Sequence, residues 1–367
     1  MKRALFWVAA SVTTRFRALA DLHRAGDSRS VSAVKPEIPH PTRRDFLSTL
    51  ALAGAALPLV SHAADTKAPA AAKPASSAPA APAGPTVIHV FSKPLHMYSP
   101  AETAKIIAAC GFGGIDYTVR TAQGHVLPEK VEEDLPRAIE AAHAAGLKVE
   151  MITTEVTSVR QKDTEKLLRT AAKHGVKFYR VGNWNYDPKL GVMGTIEKLR
   201  PELVELAAFN ASIGIHGAIQ NHAGTRIGSA LWDLYHLLKD IDPRGLGVQY
   251  DIRHATAEGG QSWPLPLKLL APWIRCTDIK DFKWGQSPGK SVIDNVPLGE
   301  GIVPFDAYFK LVKELKLTGP ISVHLEYAPF ERPAATLSAA DRLTQMTAFM
   351  KQDAAFLKAA MAKAGVA

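Results

Sequence analysis

Two stretches in the second half of the chain carry side chains that can bind a metal or move a proton. In IQNHAG, Gln220 and His222 share one face if the segment is a strand, because strand side chains alternate with a period of two. QYDIRHATAEGG places Asp251 on the same face as Gln249 and adds His254 three residues later, before a predicted turn of small residues. An Asp with a nearby His is a common oxygen and nitrogen ligand pair. Alone, this pair is weak evidence for a metal site, since an Asp at a strand end is more often a turn or helix cap.

Two later stretches repeat this pattern. CTDIKDFKW places Asp278 and Lys280 on one face, and ISVHLEY places Ser322, His324 and Glu326 on one face with apolar residues opposite. A single polar strand end is usually a hydrogen-bonded structural group. Four successive strands that end in this way indicate a shared site.

These strand ends belong to a regular alternation of strands and helices that begins near Val87. A capping box at Ser99 opens the first helix, and a long last helix begins near Ser338. The predicted strands are 87–91, 114–119, 147–153, 176–181, 213–221, 246–251, 273–279 and 321–326. The other predicted helices are 129–145, 163–174, 195–210, 229–239, 265–271 and 305–315.

Eight strands in this alternation predict an α/β fold, a single-domain (β/α)8 TIM barrel over residues 86–367. Catalytic groups of such barrels lie at the carboxyl ends of the strands, where the four polar stretches end. A doubly wound open sheet is the alternative, but no glycine-rich dinucleotide fingerprint follows the first strand. The sequence therefore predicts no nucleotide cofactor.

The first 63 residues are typical of a twin-arginine export signal. Arg43 and Arg44 precede an apolar run over 50–60 and a small-residue cleavage site near Ala63. The run is too short to span a bilayer, so we expect no stable membrane anchor. The stretch before Pro41 is long for a signal and is consistent with a misassigned start codon. We expect the twin-arginine export machinery as a partner and a periplasmic location.

Residues 64–85 are nearly all Ala, Pro, Ser and Lys, which predicts a disordered linker. The formal net charge of the whole chain is +9. Residues 1–64 hold nine Lys or Arg and four Asp or Glu, so they supply five of these charges. The remainder has no basic block, which argues against nucleic acid as a partner. Two cysteines, Cys110 and Cys276, are expected to be buried free thiols rather than a disulfide.

Six segments carry a resemblance to a known family. The chain resembles the sugar phosphate isomerase/epimerase superfamily of xylose isomerase-like barrels, which also includes the endonuclease IV type of nuclease. The segments are GIDYTVRTAQGHVLPEKVEEDLP, IQNHAG, QYDIRHATAEGG, IKDFKW, PLGEGIVPF and HLEY.

The resemblance implies one divalent metal, with Mn, Co, Mg and Zn all open, and a small carbohydrate substrate. Asp251 and Glu326 match family ligands. Asp278 stands where the family's HxKD motif has His, and Gln220 stands where many members have Glu. The predicted metal ligands are Gln220, His222, Asp251, Asp278 and Glu326.

The implied chemistry is proton abstraction next to a sugar carbonyl, in an isomerase or epimerase. Gln220 cannot act as a base, so the predicted catalytic residues are Glu326, Lys280 and His222. The predicted substrate contacts are Arg120, His125, Glu155, Arg180, His254 and Trp284. A periplasmic address favours free sugars or sugar derivatives over sugar phosphates.

Two alternatives stay open for the function. One is a lyase that acts on 3-keto glycosides by β-elimination, and the other is a non-catalytic periplasmic carbohydrate-binding barrel. The departures at Gln220 and Asp278 motivate the second alternative. Export and modest basicity disfavour a nuclease.

We predict that replacing Arg43 and Arg44 with Lys leaves the precursor in the cytoplasm, because the export machinery reads the arginine pair. Cell fractionation and immunoblotting measure this. Normal export of the double variant would remove the signal assignment.

Overall fold

Eight parallel strands close into a barrel, which confirms the predicted TIM barrel. The computed structural model describes residues 86–331 and 336–366. The barrel strands are Ile88–Phe91 (β1), Gly114–Val119 (β2), Met151–Thr154 (β3), Phe178–Arg180 (β4), His216–Gln220 (β5), Leu246–Asp251 (β6), Ile274–Ile279 (β7) and Ile321–Val323 (β10), with a hairpin, Asp281–Ser287 (β8) and Lys290–Val296 (β9), between the last two. Around the barrel the order is β1, β10, β7, β6, β5, β4, β3, β2. Strand β1 pairs with both β10 and β2, so the barrel has no free edge.

Helices alternate with the strands as the sequence predicts. Those in the described part of the chain are Pro100–Ala109 (α1), Val131–Ala144 (α2), Thr164–Lys173 (α3), Gly191–Ile213 (α4), Trp232–Leu238 (α5), Ile252–Gly259 (α6), Pro264–Leu270 (α7), Phe305–Glu314 (α8) and Ala339–Ala364 (α9). The predicted capping box is present at α1, where the Ser99 side chain accepts from the backbone of Glu102 and the Glu102 side chain accepts from that of Ser99.

Strand alternation gives strand β6 an apolar outer face and a polar inner face. In β6, Val248 and Tyr250 face the helices and are fully buried in the main apolar core. Gln249 and Asp251 point inward, where their side chains bond to groups from neighbouring strands. The sequence predicted both faces of this strand correctly. The polar face is what delivers the functional side chains.

One predicted turn is wrong. The turn of small residues expected after His254 is helical instead, because residues 252–259 form α6. Asp251 is the N-cap of this helix, and its Oδ1 accepts a hydrogen bond of 3.0 Å from the backbone N–H of His254. An N-cap carboxylate satisfies an N–H that has no partner within the helix, which allows the helix to begin directly at the strand end.

The hairpin of β8 and β9 was not predicted. Its two antiparallel strands pair from Asp281 with Val296 to Ser287 with Lys290. Pro288 and Gly289 form the connection, and Gly289 has a φ of 76°, which a glycine adopts without strain. The Pro-Gly pair was a turn signal, but apolar alternation is limited to residues 281–284 and is missing from Lys290–Val296, so no strand pair was identified.

Asp281 fixes the loop that follows the hairpin. Its Oδ1 accepts from the backbone N–H of Phe282 at 2.8 Å and of Val303 at 3.1 Å. Its Oδ2 accepts from Gly299 and Gly301, at 3.0 Å each. A Cβ at position 301 would lie 2.1 Å from Oδ1, so the close approach requires glycine there. Asp281 is thus a structural anion rather than a free strand-end ligand.

Both cysteines, Cys110 and Cys276, are buried and free, as predicted. No helix among the described residues is long and apolar enough to cross a membrane. The predicted export signal (1–63) and linker (64–85) lie outside the described residues.

We predict that Asp281→Asn lowers the free energy of unfolding by about 2–3 kcal/mol, because an amide offers only one oxygen to four backbone donors. Urea denaturation measures it. The control is Asp240→Asn, whose carboxylate is 65% exposed beside Arg200; it should cost less than about 1 kcal/mol. Equal effects of the two variants would contradict this role for Asp281.

Candidate functional site

Strand order brings the predicted catalytic groups together. Strand β7 lies between β6 and β10 in the barrel. Asp251 ends β6, Lys280 directly follows β7, and Glu326 follows β10. The Nζ of Lys280 lies 3.2 Å from Asp251 Oδ2 and 3.2 Å from Glu326 Oε2. One ammonium therefore bridges two carboxylates, and Lys280 is only 2% exposed.

The two carboxylates differ in access and in the direction of their pKa shifts. The Glu326 side chain is 19% exposed, whereas that of Asp251 is fully buried. Burial alone would raise the pKa of Glu326, but Lys280 and His324 hold it well below its ordinary value. Burial raises the pKa of Asp251, opposed by Lys280. Glu326 is therefore an ionised carboxylate that a ligand can reach.

Gln220 connects the carboxylates through its amide nitrogen. Its Oε1 accepts from Arg180 Nη1 at 3.0 Å, and its Nε2 donates to Asp251 Oδ2 at 3.0 Å and to Asp278 Oδ2 at 2.6 Å. Because a guanidinium only donates and a carboxylate only accepts, these partners fix the amide orientation. Gln220 and Arg180, both predicted site residues, are thus brought to the cluster.

Asp278 is surrounded by donors. Its Oδ1 accepts from Gln249 Nε2 at 2.6 Å and lies 3.2 Å from His324 Nε2. His324 Nδ1 lies 3.5 Å from Glu326 Oε1, and its ring stacks on Phe91 with centroids 4.4 Å apart. Burial lowers the pKa of His324, but Asp278 and Glu326 together raise it above the ordinary value. The two carboxylates therefore favour the charged form of His324 between them.

Two neutral histidines lie against each other beside this cluster, with their ring planes tilted by 35°. The rings of His222 and His254 lie 4.1 Å apart. Burial lowers the pKa of His222 to about 4, and that of His254 falls well below its ordinary value. His222 Nδ1 lies 2.9 Å from the carbonyl oxygen of Ala223, to which it donates. That contact leaves its Nε2 with the lone pair that a general base needs.

His254 is oriented by its neighbours. Its Nδ1 accepts from Arg253 Nη1 at 2.8 Å, so its proton is on Nε2, which lies 3.5 Å from Asp251 Oδ2. Arg253 also donates through Nη2 to Asn295 of the hairpin, and Asn295 Nδ2 donates to the carbonyl of Glu326 at 2.9 Å. The hairpin is thereby tied to the site.

The remaining predicted substrate contacts differ in how close they lie to this cluster. The guanidinium of Arg120 lies 5.7 Å from the Phe91 ring centroid, and that of Arg180 lies 5.1 Å from the same ring. Glu155 is exposed and accepts from the Thr121 backbone at 3.4 Å. Trp284 is 50% exposed on the hairpin. Arg120 thus adjoins the cluster through Phe91.

His125, a predicted substrate contact, is held by hydroxyl groups of the protein. Its Nδ1 lies 3.0 Å from Ser92 Oγ and 3.2 Å from Thr118 Oγ1, and its Nε2 lies 3.1 Å from Thr103 Oγ1. Burial lowers its pKa to about 4. With both ring nitrogens bonded inside the protein, His125 holds the loop after β2.

Several members of the site were not predicted, namely Asp116, Gln249, Arg253 and Asn295. Gln249 was placed on the inner face of β6 but given no role. Arg253 and Asn295 had no period or motif to identify them, because their contacts depend on α6 and the hairpin.

The donor set does not fit the divalent metal that the resemblance implies. Within residues 86–331 and 336–366, no group of three or more His, Cys, Asp or Glu side chains is arranged to hold a metal ion. Lys280 lies between Asp251 and Glu326, and the oxygen of Gln220 is turned to Arg180. The predicted ligands, which also include His222 and Asp278, are therefore not gathered around one vacant point.

A sequence model of the family described as xylose isomerase-like TIM barrel matches residues 104–346. None of the curated proteins matches this chain in sequence.

Solved structures share the fold. A xylose isomerase-like TIM barrel protein from Mycobacterium smegmatis, in complex with magnesium, is 17% identical, with a TM-score of 0.54 over 75% of this chain and 98% of that one. The 3-keto-D-glucoside 4-epimerase of E. coli is 14% identical, with a TM-score of 0.54 over 73% and 99%. The probable 3-DHS dehydratase of Bacillus anthracis is 16% identical, with a TM-score of 0.53 over 74% and 98%.

Asp116 in the barrel interior gives a pH prediction. It accepts from the hydroxyls of Thr153 and Ser322, and burial raises its pKa to about 6. A carboxyl with a raised folded pKa contributes stability below its unfolded pKa of about 3.9, and this is lost as pH rises through 6. Asp116→Asn should therefore gain roughly 3 kcal/mol relative to wild type between pH 4 and 6, then level off.

Urea denaturation at a series of pH values measures this difference. The control, Asp306→Asn, alters a carboxylate that is 60% exposed and should show no comparable rise. A flat or falling difference for Asp116→Asn would contradict the prediction.

Proposed function

Because the chain belongs to the family of xylose isomerase-like TIM barrels, we propose that it is an enzyme that acts on a sugar or a sugar derivative. The proposed reaction moves a proton at the carbon next to a carbonyl group. The observation that carries the proposal is the ionised, partly exposed carboxylate of Glu326, held between Lys280 and His324 at the carboxyl end of the barrel.

Glu326 is the proposed base. Its Oε2 contacts Lys280 and its Oε1 lies near His324, so the carboxylate is oriented as well as charged. Proton abstraction beside a carbonyl produces an enediolate, in which negative charge develops on the former carbonyl oxygen. Ammonium and guanidinium groups that are already fixed in place stabilise such charge without reorganising. Lys280 and Arg180 are the groups that supply it.

His222 is the proposed second proton-transfer group. It is neutral, and the charge of Glu326 acts on its pKa, so the two side chains lie within electrostatic range. In an isomerisation or epimerisation, one group removes the proton and another returns one to a carbon or oxygen. Gln220 cannot take this part, because its amide neither accepts nor releases a proton near neutral pH.

A β-elimination is the second candidate, and the loss of a second carboxylate base at Gln220 favours it. Elimination from a 3-keto glycoside begins with the same proton abstraction but then expels the group on the next carbon, so it needs one base and one acid. Similar folds include an epimerase named for a 3-keto-D-glucoside and a probable dehydratase. For this second candidate, the proposed substrate class is an oxidised glycoside.

The remaining expectations stay proposals. An exported protein would meet free sugars and glycosides more often than sugar phosphates, and the twin-arginine motif supports a periplasmic address. The residues at the site do not fit the divalent metal that the resemblance implies. No step of the proposed reaction uses it.

We predict that the wild-type protein, incubated in D2O with aldoses, ketoses and 3-keto glycosides, exchanges the hydrogen beside the carbonyl of one of them. Glu326→Gln should lower kcat by about 10²- to 10⁴-fold, the range for loss of a general base. NMR of the carbon-bound hydrogen measures exchange and separates an epimer from an unsaturated elimination product.

The control variant is Glu314→Gln, an exposed carboxylate of α8, which should keep wild-type turnover. A sugar that raises the melting temperature of wild type, with no exchange or product from any member of the panel, would identify a carbohydrate-binding barrel instead.

A further inference from the structure

Lys280 lies between two of the predicted metal ligands, Asp251 and Glu326. The strand order places β7 between β6 and β10, so the first residue after β7 is flanked by the carboxylates of the two neighbouring strands. The Lys280 Nζ lies 3.2 Å from Asp251 and 3.2 Å from Glu326. At 2% exposure it cannot leave this position for solvent without opening the site.

Two other predicted metal ligands, Gln220 and Asp278, are already bonded to groups of the protein itself. Gln220 turns its nitrogen, which cannot coordinate a cation, to Asp251 and Asp278. The orientation of the Gln220 amide is fixed because its oxygen accepts a hydrogen bond from Arg180. Asp278 has Gln249 and His324 on one oxygen and Gln220 on the other.

The charges are also already compensated. Asp251 and Glu326 share the ammonium of Lys280, and Asp278 faces His324. A divalent cation at the same point would stand beside a buried ammonium, and like charges at such distances repel strongly in a site shielded from water. Removing the ammonium would leave the buried carboxylate of Asp251 close to the partly exposed one of Glu326, an arrangement that attracts a cation.

We propose that the ammonium of Lys280 is the resident cation of this site and takes the place of a divalent metal. Two of its three N–H groups hold Asp251 and Glu326. The third is available to an oxygen of a bound ligand. The inference concerns which cation the site holds, and it stands whichever reaction the protein performs.

The test is a Mn²⁺ titration of chelator-treated, gel-filtered full-length protein, in which EPR measures free Mn²⁺. Wild type is expected to bind no stoichiometric Mn²⁺. Lys280→Met, which keeps the length of the side chain but removes its charge, should bind one equivalent at least about tenfold more tightly than wild type. Adding Glu326→Gln to Lys280→Met should abolish this gain, and the charge-preserving control Lys280→Arg should behave as wild type.

Two results would overturn the inference. One is stoichiometric Mn²⁺ binding by wild type that is lost in Asp251→Asn. The other is a folded Lys280→Met, with a native circular dichroism spectrum, that gains no affinity for Mn²⁺. If Lys280→Met does not fold, the wild-type and Lys280→Arg titrations decide, since one equivalent of bound Mn²⁺ in either contradicts a resident ammonium. Because the readout is metal binding, these outcomes are independent of whether a substrate is found.

Discussion

Burying several carboxylates at one mouth of a barrel requires compensating charge, and the bridge from Lys280 to Asp251 and Glu326 provides it. An unpaired ionised carboxylate away from water is costly, so it either finds a cation or takes up a proton. The first outcome applies to Glu326, and the second applies to Asp116 below about pH 6. Glu326, with Lys280 beside it, stays ionised, whereas Asp116 has hydroxyl partners and burial raises its pKa to about 6.

The same bridge explains how the fold determines the site. Parallel strands place their carboxyl ends at one mouth, and the order β10, β7, β6 sets a lysine between two acids. Asp251 contributes twice, since one oxygen caps α6 and the other faces Lys280 and Gln220. A substitution there would disturb a helix start as well as the charge balance. Structure and chemistry are not separable at this residue.

Much of this arrangement could be predicted from the sequence. The parts that could not be predicted were missed for physical reasons. The two-residue period placed Gln249 and Asp251 on the inner face of β6, because that period depends only on backbone geometry. Contacts that arise between distant segments carry no period. The orientation of the Gln220 amide is set by its hydrogen bonds to Arg180 and Asp278. Arg253 is linked to the hairpin by its hydrogen bond to Asn295, which lies on a strand without apolar alternation. The family resemblance implied a divalent metal. The residue types at positions 220 and 278 were the signs that this chain departs from the family pattern.

The central claim is that an ammonium, not a metal, lies between Asp251 and Glu326. The most direct measurement is a crystal structure of the protein grown with excess Mn²⁺, with anomalous diffraction data collected at the manganese edge. The account predicts no anomalous peak at this point and the Lys280 Nζ within hydrogen-bonding distance of both carboxylates. A manganese peak bound by Asp251 and Glu326, with Lys280 turned away, would contradict it.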